Sequence, residues 1–251
     1  MPAVNFGAGT LVGRRTGVSN PTPSFFGILQ EVDITVDRTL KELIGNYSFA
    51  SDVAPAQMKI TGSAKFAQIT ASALNDMMFG MSLSSTSGFA MAIGENKTIP
   101  GTPYQVTVSN AANFKEDLGV FYAATGVQLA RVASTPATGQ YAVNESTGVY
   151  TFASGDTTLG VNIYYSYNVT TMKQISMTNP LMGVGPTFEI YLYNTYTDNS
   201  GTLNTFGMKL NACRSSKLQL PLKNQDYTIE SFDFTAYADA ANAIGSIVTG
   251  A

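Results

Sequence analysis

The chain has 251 residues, of which 44% are hydrophobic and only 12% charged, with 14 basic and 17 acidic residues, one cysteine and no histidine. A soluble domain ordinarily carries about 25% charged residues, so the Ser, Thr, Asn, Gly and Ala left at the surface suit burial against neighbouring subunits. A net charge of −3 excludes the basic footprint of a nucleic-acid binder. One cysteine and no histidine exclude a disulfide framework, zinc sites built on Cys or His, and any Ser-His or Cys-His nucleophile.

In chain order, residues 1–23 are rich in Gly, Ser, Thr and Pro without periodicity, which predicts an irregular arm. The start MPAVNFGAGTLVGRR has no basic segment leading into a continuous apolar run, and no stretch approaches the ~18 apolar residues of a membrane span. The chain is expected to act without export and without a membrane. Residues 28–37, ILQEVDITVD, alternate Val32, Ile34 and Val36 with Asp33, Thr35 and Asp37, the period of a strand. Residues 38–52 read as a loop or helical turn ended by Gly45.

QMKITGSAKFAQI, residues 57–69, reads as two short runs hinged at Thr61-Gly62-Ser63. Met58 and Ile60 fall on one side of the first run, Lys59 and Thr61 on the other. In residues 70–80, Leu74, Met77 and Met78 recur at helical spacing and Gly80 supplies a stop. Residues 81–94 read as a loop or boundary.

From 95 to about 172, short strands alternate with turns: YQVTVS, GVFYA, VQLARV, QYAVN, GVYTFA and VNIYYSYNV. This spacing predicts a small inserted β-sandwich over 95–173, with Tyr141, Tyr150, Phe152, Tyr164, Tyr165 and Tyr167 as core or cross-strand aromatics. Beyond 173 the alternating runs and polar turns seen before residue 94 return in FEIYLYNTY, FGMKLNACRSSKLQ and IESFDFTAYAD, and the chain closes on a small-residue tail. Residues 1–94 and 174–251 are therefore expected to share one sheet system. No repeat of solenoid length is present.

Candidate chemistry is sparse. Gly7-Ala-Gly9-Thr-Leu-Val-Gly13 lacks the strand, spacing and helix of a phosphate loop. Asp33 and Asp37 on one strand face could hold a cation or act as an acid/base pair, but a solvated or interface-facing polar face is the ordinary reading of such a pair. Glu116-Asp117 and Asp198-Asn199 read as turn residues without the spaced ligands of a calcium loop. Cys213 reads as a small buried side chain, and the Asn-x-Ser/Thr triplets at Asn46, Asn96, Asn144 and Asn168 as products of composition. The tyrosines raise sugar stacking, against which stands their regular strand spacing. No metal, cofactor or catalytic constellation emerges, so the chain reads as a non-enzyme.

Residues 57–80, QMKITGSAKFAQITASALNDMMFG, with the closing SSKLQLPLKNQDYTIESFDFTAYAD, resemble the major tail tube proteins of tailed bacteriophages. The likeness spans about half of the chain. It implies a mainly β fold: a tail-tube-type β-sandwich or barrel with a flanking α-helix, carrying an inserted Ig-like module on the outside. It further implies six-membered rings that stack into a hollow tube for the genome, with Lys59, Thr61, Ser63 and Lys65 on the channel wall or between subunits. Partners implied are further copies of the chain, a tape-measure protein, tail terminator and baseplate proteins, and a sheath if the tail contracts. DNA would pass without specific binding, and any wall lysine would need a nearby acid. Other readings of the same chain are a head decoration protein, a tail terminator, or a carbohydrate-binding module centred on 95–172.

Overall fold

The computed structural model describes residues 7–81, 83–84, 88–197 and 200–250. The fold is mainly β, and the chain divides into two compact units, 1–82 with 175–251 and 83–174.

The first unit begins with β1 (Thr10–Arg15), β2 (Ser24–Phe25), β3 (Gly27–Ile44) and β4 (Ala50–Gln68), followed by α1 (Ala71–Leu74) and a π-turn over Asn75–Phe79. The second unit holds β5 (Leu83–Ser84), β6 (Gly88–Thr98), β7 (Gln105–Thr107), β8 (Phe114–Tyr122), β9 (Ala130–Arg131), β10 (Gln140–Asn144), β11 (Val149–Phe152) and β12 (Gly160–Val169). The chain returns through β13 (Gln174–Ile175), β14 (Phe188–Thr197), β15 (Leu203–Gln219), β16 (Glu230–Ala236) and β17 (Gly245–Gly250).

Eight strands of the first unit form one antiparallel sheet in the order β2-β1-β14-β15-β16-β4-β3, with β17 on the first half of β15 and β16 on the second. Leu11, Phe26, Ala64, Phe66, Phe188, Ile190, Leu210, Cys213, Phe232 and Phe234 form its core together with Met77 of the π-turn. Thr70 caps α1 by accepting from the Ala73 amide at 3.2 Å. Asn75 then imitates a backbone group: its side chain donates to the Met81 carbonyl at 2.8 Å and accepts from the Met81 amide at 2.9 Å. This pair of hydrogen bonds fixes the wide last turn, in which the Gly80 amide donates to the Asn75 carbonyl at 2.6 Å.

In the second unit, a three-stranded sheet (β6-β12-β8) and a four-stranded sheet (β7-β11-β10-β9) contribute to one core that includes Val106, Val120, Tyr141, Tyr150, Phe152, Val161, Ile163 and Tyr165.

Several expectations change. There is no hinge at Thr61-Gly62-Ser63, because β4 runs unbroken through it. Gly62 is there for a different reason: a Cβ on it would strike the outer end of the Phe234 ring, which occupies that space. Residues 38–52 are not a helical turn; the β3–β4 ladder continues to the Ile44↔Ala50 pair, and the bend falls at 45–49. The amino-terminal segment is not an irregular arm throughout, since β1 pairs along its whole length with β14 and buries Leu11. Gly13 in that strand gives way to the Met77 side chain, which fills the position a Cβ would take.

The second unit starts at Leu83, and the expected boundary at 94/95 cuts through β6, a strand hydrogen-bonded to β12. Glu116-Asp117 lies within β8 rather than in a turn, and the carboxyl-terminal small residues form β17. Of VQLARV only Ala130–Arg131 is strand. Asp198-Asn199 lies outside the described residues.

Candidate functional site

Strand parity sorts β4 into two faces. Ile60, Gly62, Ala64 and Phe66 point to the core, so Lys59, Thr61, Ser63 and Lys65 share the opposite face. Register brings neighbours onto that face in rows, because directly paired residues project to the same side. Lys65 lies between Glu31 and Ser231, Ser63 between Asp33 and Asp233, and Thr61 between Thr35 and Thr235, while Lys59 is opposite Asp37. β15 extends the rows with Gln219 beside Ser231, Lys217 beside Asp233 and Arg214 beside Thr235. All four residues singled out from sequence thus meet on one surface.

The face is balanced in charge. Lys59, Lys65, Arg214 and Lys217 stand against Glu31, Asp33, Asp37 and Asp233, four of each sign. Lys65 Nζ lies 2.6 Å from Glu31 Oε2. That hydrogen bond and the Glu31 and Asp33 charges raise the Lys65 pKa, so the ammonium stays protonated and paired. A shallow hollow lined by Asp33, Thr35, Lys59, Thr61, Ser63, Asp233 and Thr235 runs across the rows. These rows combine hydroxyls with equal numbers of acidic and basic side chains.

Asp33 and Asp37 do not converge: Asp33 faces Ser63 and Asp37 faces Lys59. Among the described residues, no group of three or more His, Cys, Asp or Glu side chains is placed to hold a metal. Gly7–Gly13 leads into β1 and is followed by no helix. Cys213 is fully buried, which pushes its thiol up to about 12 and keeps it protonated at neutral pH. Among the described residues no helix is long and apolar enough to cross a membrane.

A second cluster on the same outer side escaped sequence reasoning. Arg14 and Lys209 flank the Tyr191 ring, at 5.8 and 5.3 Å from its centre, and both approach Glu189. Burial pushes the Glu189 carboxyl up, but hydrogen bonds from Tyr191 and Arg14 and the nearby Lys209 charge outweigh it and hold the group below its ordinary value. The cluster joins β1, β14 and β15; its only sequence signal was alternation in FEIYLY, which assigns a face but no partner.

The second unit carries its polar groups inside. Asp117, 3% exposed, accepts from the hydroxyls of Tyr141 at 2.7 Å and Tyr150 at 2.8 Å, with Arg131 at 3.6 Å. Asp156 accepts from Tyr122 at 2.8 Å and from the Gly139 amide at 3.1 Å. Glu95 accepts from Tyr165 at 2.6 Å and from the Ser109 amide and hydroxyl. The rings of Tyr141, Tyr150 and Tyr165 are buried, so those faces are not offered to a sugar.

No protein-family model and no curated protein matches this chain.

Proposed function

We propose that the chain is a structural virion protein, the major tail tube subunit of a tailed bacteriophage. It is made in the host bacterial cytoplasm and works in the virion tail, where six-membered rings of it stack into the hollow tube that conducts the genome during ejection. The observation that carries this reading is the polar face of β3, β4, β16 and the half of β15 paired with β16, on which four basic and four acidic side chains lie in rows. A channel wall of that kind lets DNA slide without gripping it.

The edges of the sheet support assembly. β3 is an 18-residue edge strand whose outer side pairs with no strand among the described residues, an aggregation hazard unless another chain pairs with it. A heterologous contact whose rotation closes converts such an edge into a ring. Lys59, Thr61, Ser63 and Lys65 then line the channel or the seam between subunits, and the second unit decorates the outside. The tape-measure protein occupies the channel, terminator and baseplate proteins meet the tube ends, and a sheath surrounds it if the tail contracts. No catalytic step, cofactor or metal is assigned.

Purified protein viewed by negative-stain and cryo-electron microscopy tests the proposal. Long hollow filaments built of sixfold rings are the expected result. Closed rings that never stack would favour a tail terminator, and monomers at high concentration would favour a decoration protein; either outcome overturns the tube.

A further inference from the structure

A sheet can grow only at its edge strands, and β6 of the second unit is one. It pairs with β12 on one side and with no strand among the described residues on the other. Its first part, Gly88 to Gly94, is GFAMAIG, which reads the same in both directions apart from the exchange of Phe89 and Ile93. Ala90 and Ala92 lie opposite Tyr167 and Tyr165 on the core side of β12, so Phe89, Met91 and Ile93 project from the outer face. Those three side chains are 49%, 52% and 76% exposed. Lys115, reaching over from β8, lies 4.6 Å from the centre of the Phe89 ring, but the run itself holds neither a charge nor a proline to guard the edge. The bulge opposite Tyr164 falls only at its far end, where Gly94 takes a φ of 71°.

The symmetry of the run names its occupant. Two copies of the strand laid antiparallel about Met91 bring Met91 onto Met91, Ala90 onto Ala92 and Phe89 onto Ile93. Directly paired residues project to the same side, so the six large side chains gather on one face and the four alanines on the other. A slip of one residue would turn the apolar row of one copy to the opposite face, which selects this register. A strand carrying a charge at the central position would set it between Phe89 and Ile93 without a partner, whereas a second copy supplies an uncharged methionine.

We propose that β6 pairs antiparallel with β6 of a second copy, joining two three-stranded sheets into one of six strands about a two-fold axis at Met91. The same surface is used by both copies, so the contact is isologous and stops at a dimer. A stack of like-oriented rings has no two-fold axis between its subunits, so the pairing belongs to subunits outside the tube and does not depend on the tube reading. The exposed side chains of each copy present on the order of 300 Å², less than the ~800 Å² that each partner of a stable complex contributes. The dimer is therefore weak, with a dissociation constant of about 10 μM to 1 mM.

Cysteine trapping of the full-length chain tests the pairing, since the native Cys213 is buried and does not compete. It is done on the protein left in solution after any filaments have been sedimented. Oxidised Met91→Cys is expected to give a dimer and nothing larger on a non-reducing gel, because directly opposed residues of antiparallel strands have Cα atoms about 4.5–5.5 Å apart, within disulfide reach. Phe89→Cys alone should stay monomeric, its two cysteines being about 13 Å apart along the pair, and Phe89→Cys combined with Ile93→Cys should restore the dimer. Met91→Lys sets two like charges on the axis; it should keep the wild-type circular dichroism spectrum and raise the dissociation constant read by sedimentation equilibrium about tenfold or more. A Met91→Cys chain that stays monomeric, a Phe89→Cys chain that cross-links as readily, or a Met91→Lys chain that dimerises like wild type overturns the pairing.

Discussion

Phe26, Phe66, Phe188, Phe232 and Phe234 fill the core of the first unit, whereas Tyr141, Tyr150 and Tyr165 dominate that of the second. A buried phenylalanine asks only for shape, and the first unit answers with bare backbone at Gly62 and a flexible methionine at Gly13. A buried tyrosine also needs an acceptor, so the second unit brings Asp117, Asp156 and Glu95 inward. In the first unit the buried polar residues are uncharged, Ser24, Asn75 and Asn204 among them, and charged groups lie in rows on one face of its sheet. The second unit thus holds buried carboxylates against its tyrosines, whereas the first keeps its charged rows on a sheet face.

The largest break in this contrast should come from shape. Gly62→Val places a branched side chain where Phe234 lies and should destabilise the first unit by about 3 kcal/mol, the upper range for overpacking. Hydrogen exchange resolved by peptide should show protection lost in β4 and β16 and kept in β10–β12; equal loss in both units would contradict the separation of cores. Asp117→Ala should do the converse at about 2 kcal/mol, by leaving the Tyr141 and Tyr150 hydroxyls without their acceptor. Here protection should fall in β8, β10 and β11 and hold in β4 and β16.

Alkali should separate the units more gently. Burial and the Asp156 hydrogen bond push Tyr122 up to about 12, and burial together with Asp117 raises Tyr141 and Tyr150 further. A raised folded pKa contributes stability that is whole below the unfolded value near 10 and is lost as pH rises through the folded one. The second unit should therefore weaken progressively above about pH 10. Among the described residues of the first unit only Cys213 is raised comparably, so that unit should weaken less. Tyrosinate absorbance against peptide exchange checks the order; if the first unit opens at lower pH, the tyrosine–carboxylate pairs are not what alkali attacks. The smallest effect belongs to the outer face: Lys59→Ser removes one exposed charge and should alter stability by less than ~0.5 kcal/mol and leave filament formation intact. Filaments lost in this variant would show that the Lys59–Asp37 row is a required contact.

Much of the fold was legible in the sequence because alternation survives wherever one face of a strand is buried. FEIYLY and GVYTF alternate more and less buried positions, and these two and QYAVN each form a strand within a residue or two of expectation. The parity of Lys59 and Thr61 was legible for the same reason, and the unbroken strand carries it on to Ser63 and Lys65. What misled was glycine. In TGS a glycine reads as a turn, but a turn and a slot for a ring both call for the absence of a Cβ, and only Phe234, 172 residues further on and paired with Gly62 across the sheet, distinguishes them.

Composition and period determined that the chain is mainly β, that a module is inserted into a discontinuous remainder, and that Lys59 and Thr61 share a polar strand face. These follow from local chemistry: side-chain alternation and turn residues. Only the tertiary structure decided which residues meet across strands: the neutral rows around Lys65, the Arg14–Glu189–Lys209 cluster, and the buried carboxylate beneath Tyr141 and Tyr150. Register over separations of thirty to nearly two hundred residues is set by the joint packing of both cores, and no single stretch of sequence contains that information.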